Sequence, residues 1–99
     1  MQFKISKEAQ LDLENIWLHT FETWSKEQAD RYFNLIFEEI EYLTQHPTAG
    51  KDYSHIRKGY YHSKVKSHFI FYRINLKEKA IEVIRILHQR MDIEKRLED

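Results

Sequence analysis

Two runs late in the chain, Phe69-Ile70-Phe71-Tyr72-Arg73 and Ile81-Glu82-Val83-Ile84-Arg85-Ile86-Leu87, constrain the fold more than any other feature. They are rich in β-branched and aromatic residues and apolar on both faces. That is the pattern of central strands covered above and below. Each run carries one arginine. An unpaired buried charge is costly, so Arg73 and Arg85 are expected either to reach a carboxylate or to point onto a working surface. The second run empties into a polar tail, His88-Gln89-Arg90-Met91-Asp92.

Punctuation elsewhere is sparse, with two Gly and one Pro in 99 residues. Phe3 and Ile5 alternate with Gln2 and Lys4, a short strand signature, and Ser6 is placed to cap a helix. From Lys7 to Trp24 the apolar residues Ala9, Leu13, Ile16, Trp17, Phe21 and Trp24 recur at helical spacing. Ser25 restarts a helix, with Gln28 as the other half of a capping box. Ala29, Tyr32, Phe33, Ile36, Phe37, Ile40 and Leu43 form its stripe, and His46-Pro47-Thr48-Ala49-Gly50 ends it. Two helices with so short a joint pack as an antiparallel hairpin.

Residues 50–59 look like a polar loop. Strands come next over 60–66, 68–75 and 80–88, joined at Ser67-His68 and by the Lys-rich 76–79 turn. The tail from Met91 has helical composition. The predicted order is β-α-α-β-β-β in one domain, 1–99: an α+β, two-layer fold with the helical hairpin packed on one face of an antiparallel sheet. The other face is expected to lie open and to carry charged strand residues.

Composition narrows the chemistry. Without cysteine there is no disulfide framework, zinc-thiolate site or thiol nucleophile. No apolar run approaches the roughly 20 residues of a membrane span, and no signal-peptide pattern opens the chain, so a soluble cytoplasmic protein is expected. The six histidines show no H-x-x-x-H or H-E-x-x-H spacing. There is no G-x-S-x-G elbow, and two glycines cannot make a phosphate-cradling loop. Neither metal nor cofactor is expected.

Net charge is zero but polarised. Residues 1–50 hold 4 Lys/Arg against 9 Asp/Glu, a net −5, and residues 51–99 hold 12 against 7, a net +5. A basic face aimed at an anionic target is one reading; ordinary Glu-rich helix surfaces are the other. The basic-aromatic set comprises Tyr60, Tyr61, His62, Lys64, Lys66, Arg73, Arg85, His88 and Arg90. Alternation puts His62, Lys64 and Lys66 on one strand face. Such a set suits a phosphoryl transition state, a backbone phosphate or an acidic peptide, and a solvated face accounts equally well for its lysines. On the helices, Leu11 and Leu18, and likewise Leu35 and Tyr42, lie seven apart and off the core stripe. They are either scattered surface residues or a contact strip for another chain.

The chain resembles the RelE/ParE superfamily of bacterial toxin–antitoxin toxins, and specifically its ParE branch. The resemblance rests on Ala9-x-x-Asp12-Leu13-x-x-Ile16-Trp17, on Trp24 through Gln28-Ala29-Asp30-Arg31-Tyr32, and on His46-Pro47-x-x-Gly50. It continues in Ile70-Phe71-Tyr72-Arg73 and in Ile84 through Asp92. The resemblance implies the two-layer fold and a toxin that arrests growth by binding and poisoning DNA gyrase, not by catalysis. It also implies a ParD-like antitoxin in a hetero-oligomer, with neither membrane nor sequence-specific nucleic-acid binding. Arg73, Arg85, His88, Gln89, Arg90 and Lys64 are then the candidates for target binding, and Leu11, Leu18, Leu35 and Tyr42 for antitoxin binding. The alternative is a ribosome-dependent messenger-RNA endonuclease like the RelE branch, with His62, Lys64 and Arg90 as its catalytic set. Against that branch's pattern, Phe69 stands where a basic residue is kept, and no tyrosine occurs after Tyr72.

Overall fold

The computed structural model describes residues 1–97. Strand β1 (Gln2–Ile5) leads into helix α1 (Lys7–Thr23), and α2 (Lys26–Gln45) returns antiparallel to it. Then come β2 (Lys51–Asp52), β3 (Tyr60–Val65), β4 (His68–Asn75), β5 (Ala80–His88) and a single turn, α3 (Ile93–Arg96). The strands form one sheet in the order β1-β5-β4-β3-β2. Both helix starts are capped as their sequences imply. The Ser6 hydroxyl accepts from the Ala9 amide at 3.0 Å, and that of Ser25 accepts from the Gln28 amide at 3.1 Å.

The two-layer α+β architecture is the expected one, and the doubly apolar β4 and β5 are its central strands. Three details differ. The sheet is mixed, because β1 pairs parallel with β5, Phe3 opposite Ile81 and Ile5 opposite Val83. The chain between β1 and β5 runs through the hairpin and then β2, β3 and β4, and returns to the same end, as a parallel pair requires. The 50–59 segment contributes the short edge strand β2, with Lys51 opposite His62. Lys66 leaves the strand altogether and occupies the turn at φ 55°.

The main core lies between hairpin and sheet. Ala9, Leu13 and Ile16 of α1 and Ile36, Ile40 and Leu43 of α2 pack on Ile70, Tyr72, Ile81, Val83 and Ile86. The α1 stripe ends earlier than its spacing suggests: Phe21 is 45% exposed and Trp24, at the helix C-cap, 74%. By that turn α1 has outrun the sheet. Trp17 stays half-buried, with its indole N–H donating to Asp30 at 3.0 Å.

The opposite sheet face is not the open charged surface expected. Tyr60, Phe71 and Leu87 form a second apolar cluster, flanked by Tyr53, Phe69 and Ile84. Leu97, only 3% exposed, and Ile93 close over it from α3 and its C-cap. Apolar strand residues on both faces need cover on both, and the short C-terminal turn supplies it here.

Two motif residues find their reasons in this packing. The Tyr72 hydroxyl donates to the Pro47 carbonyl at 2.7 Å and accepts from the Gly50 amide at 3.1 Å. A Cβ on Gly50 would sit 2.5 Å from that hydroxyl and 2.9 Å from the His62 carbonyl, so His46-Pro47-x-x-Gly50 is a close backbone approach.

Asp12 of α1 accepts from Arg85 twice, from Nε at 2.8 Å and Nη2 at 2.9 Å, and from the Ile86 amide at 2.9 Å. The two side chains are 13% and 22% exposed. Replacing Asp12 with Ala removes the carboxylate from a guanidinium and a strand amide together. It is expected to cost about 2–3 kcal/mol, less than a fully buried pair because both groups keep some solvent contact. Urea unfolding of the variant against the parent checks this.

Candidate target-binding and partner-binding surfaces

The cationic residues singled out from the sequence do not form one patch. On the sheet face away from the hairpin, the Lys64 ammonium sits 5.7 Å from the Phe69 ring centroid, a cation–π arrangement. His62 meets Tyr53 at 4.9 Å and Phe69 at 5.0 Å edge-on. Burial, helped by Lys51 and His55, lowers the His62 pKa below its usual value, so it is neutral at pH 7. Arg73, on the same face, donates Nε to Glu82 Oε1 at 2.5 Å across the β4–β5 ladder. The bonds from Arg73 and Asn75 pull the Glu82 carboxyl below its usual range. Arg85 sits at the rim of the sheet in the grip of Asp12.

His88 faces the other way, toward the hairpin, with its ring 5.0 Å from that of His68. Gln89 and Arg90 occupy the turn beyond β5. There the Gln89 amide donates to the Ser67 carbonyl at 2.8 Å and the Arg90 amide to His88 Nδ1 at 3.0 Å. Of the two alternatives open to Arg73 and Arg85, a carboxylate or a working surface, both arginines reach a carboxylate, and Arg73 stays half-exposed as well. Lys64, His62 and Arg73 share one surface, whereas His88 belongs to another.

That other surface carries Leu11 and Leu35, singled out from the sequence as partner contacts, together with His19 and His68, which were not. Two clefts, of about 570 and 500 Å³, run beside the hairpin and share His19, Thr20, His68 and His88. Leu11 lines the first with Ile16 and Met91. Leu35 lines the second with Trp24 and Tyr32. Leu11 and Leu18 are both about half exposed, two turns apart on α1. Tyr42 lies elsewhere, in a depression of about 670 Å³ with Met1 and Phe3. The exposed Trp24 and the Trp17–Phe21 stack, 5.3 Å between centroids, extend the apolar character to the tip of the hairpin. Helical spacing assigns Phe21 and Trp24 to the core. Only the length of α1 relative to the sheet reveals them as surface residues.

At the junction of the two clefts, His68 Nδ1 lies 2.6 Å from the Tyr32 hydroxyl, which donates to the Val65 carbonyl at 3.0 Å. A proton on Nδ1 satisfies both bonds. Burial, with His88 and His19 nearby and Asp12 only partly opposing, lowers the His68 pKa to about 4. Its pKa is therefore lower folded than unfolded. Between pH 6.5 and 4 the unfolded chain takes up a proton that the folded one refuses, so this contribution to stability is complete above pH 6.5 and lost as pH falls toward 4. The loss is expected to be on the order of 1 kcal/mol once solvent screening is allowed for. His68→Gln should flatten the urea midpoint across that window, and the His68 ring proton resonance should stay at its neutral position down to about pH 4.

Among the described residues no helix is long and apolar enough to cross a membrane. A helical hairpin laid on a mixed five-stranded sheet, with a cation-bearing aromatic face behind it, defines a RelE/ParE-like α+β protein. The solved structure titled "Chromosomal ParDE TA system from P. aeruginosa" superposes at a TM-score of 0.76. It covers 89% of this chain and 95% of that one at 22% identity. The family described as "ParE toxin of type II toxin-antitoxin system, parDE" matches residues 3–93. Toxin ParE1 of Mycobacterium tuberculosis (strain ATCC 25618 / H37Rv) is 36% identical over 96 residues, 97% of each chain. Toxin ParE1 of Caulobacter vibrioides is 34% identical over 90 residues, 91% of each. The chain belongs to the ParE toxin family of type II toxin–antitoxin systems.

Proposed function

We propose that this toxin acts by adhering to DNA gyrase without catalytic turnover, and that a ParD-like antitoxin neutralises it. The family match over residues 3–93 carries this reading. The side-chain arrangement supports the binding mode over the nuclease alternative. His62 and Lys64 share a face beside aromatic rings, but Arg90, the third member of the nuclease set, lies beyond the end of β5. Arg73 and Lys64 are the target contacts this geometry favours, because both present charge on the surface opposite the hairpin. Arg85 is committed to Asp12 and acts through the fold. Purified toxin titrated into gyrase is expected to abolish supercoiling near stoichiometry. Unchanged supercoiling with no trapped cleaved DNA at excess toxin sinks the proposal. Ribosome-phased cuts in transcripts from induced cells would establish the endonuclease instead.

For the antitoxin, the two clefts beside the hairpin and the Leu11–Leu18 strip offer apolar surface of the kind an amphipathic segment covers. Leu35 belongs to the same surface through the second cleft, whereas Tyr42 is set apart. The double variant Leu11→Glu/Leu18→Glu should keep the fold, since both side chains are about half exposed. It should weaken antitoxin binding by about a hundredfold or more, two desolvated apolar contacts being lost. Calorimetric titration with the cognate antitoxin decides it, and an unchanged affinity removes these leucines from the interface.

A further inference from the structure

We propose that the junction of the two hairpin clefts is a carboxamide subsite, filled by an asparagine or glutamine side chain of the partner segment that covers them. Its working groups are His68 and His88, which stand opposite each other on β4 and β5. Their rings meet edge-on, 5.0 Å between centroids and 86° between planes, and both rings line both clefts.

The bonds already made decide which nitrogen of each ring carries the proton. The Tyr32 hydroxyl gives its one hydrogen to the Val65 carbonyl, so it accepts from His68 Nδ1. His68 Nε2 is then a bare lone pair. On His88 the order is reversed. The Arg90 amide donates to Nδ1 at 3.0 Å, so the ring hydrogen sits on Nε2. One ring therefore offers an acceptor and the other a donor. Neither Nε2 has a hydrogen-bond partner among the described residues, and neither is sealed from solvent. Burial holds the His68 pKa at about 4, so its lone pair stays open through the neutral range.

A ligand that satisfies both rings must bring a donor and an acceptor side by side. A primary carboxamide does so, with its N–H toward His68 and its C=O toward His88. A carboxylate brings acceptors alone and sets an oxygen against the His68 lone pair. An ammonium brings donors alone and meets the His88 N–H. The rings are half-buried, so a side chain reaches them more readily than a main chain does. Apolar walls flank the pair, Ile16 and Met91 in one cleft and Trp24 and Leu35 in the other, and suit the stem of an amide side chain. The occupant rests on the reading that the antitoxin covers these clefts; the chemistry of the subsite does not.

Four fragments of one shape, benzamide, benzoate, benzylamine and benzyl alcohol, test that chemistry on the intact toxin alone. Long-range proton–nitrogen NMR spectra are expected to place the proton on Nδ1 of His68 and on Nε2 of His88. Benzamide should shift both rings saturably, with a Kd of about 1 mM. The other three should bind about tenfold more weakly or worse, since a site built for two hydrogen bonds discriminates against a ligand that makes one. Arg31 and Lys66 on the second cleft make benzoate the strictest comparison. His88→Phe keeps the ring but loses the donor, and should raise the benzamide Kd about tenfold. Swapped tautomers, or benzoate or benzyl alcohol binding as tightly as benzamide, overturn the subsite. The cognate antitoxin should displace benzamide. Replacing one of its asparagines or glutamines with leucine should weaken the complex about tenfold with the parent toxin but not with the His88→Phe toxin. Benzamide left in place by bound antitoxin overturns the antitoxin reading of these clefts. Benzamide displaced, with every such replacement acting equally on both toxins, overturns the amide occupant alone.

Discussion

The join between the two layers depends on how the exposed edge of β5 is finished. β1 pairs with it only as far as Ile5 and Val83, yet β5 runs on to His88. Ile84 is the extra residue of a bulge there, since Phe71 lies opposite Arg85 while Tyr72 lies opposite Val83. The backbone groups left over are taken by the helix layer. The Ser6 amide donates to the Val83 carbonyl at 2.9 Å, the Ser6 hydroxyl to the Ile84 carbonyl at 2.7 Å, and the Ile86 amide to Asp12. Ser6 thus caps α1 and closes the strand at once. Unpaired backbone groups at a sheet edge are both costly and a template for other chains. Here side chains of α1 occupy the place of a strand.

That fastening fixes the geometry of both candidate surfaces. It sets α1 beside the ends of β4 and β5, which opens the clefts where His19, His68 and His88 meet. It also holds the Arg85 guanidinium at the rim, where Arg73, Arg57 and Arg96 gather. The hairpin side is apolar, with neutral His68 at its centre and acidic helix residues around it. The opposite side is aromatic and cationic. This chain therefore carries two chemically distinct faces, one on each side of a single sheet.

Much of this is legible in the sequence, and the misses have physical causes. The helices are visible because Ser6 and Ser25 are strong caps and the stripe from Ala29 to Leu43 is long and regular. The strands Phe69–Arg73 and Ile81–Leu87 are visible because apolarity on both faces demands central positions. The parallel pairing of β1 is hidden, since four residues say nothing about strand direction. The two-residue β2 is hidden for a similar reason. Phe21 and Trp24 mislead because periodicity records a direction around the helix axis, not how far the sheet beneath extends. The second apolar cluster escapes notice because its cover, Ile93 and Leu97, comes from a single turn with no stripe to read.

The site residues divide along the same line. By itself, the sequence determined the layer order, the helix limits, the family, and that Arg73 and Arg85 need either a counter-charge or an exposed surface, because local spacing and the cost of burying a charge act wherever the chain goes. Which carboxylates answer, that His88 turns to the helix side while Lys64 and His62 turn away, and that four arginines share a recess were decided only in three dimensions. Those facts depend on strand register, on one bulge and on where α1 ends. Glu82 lies nine residues from Arg73, within one hairpin, but Asp12 lies 73 residues from Arg85, and no local window of sequence contains that pair.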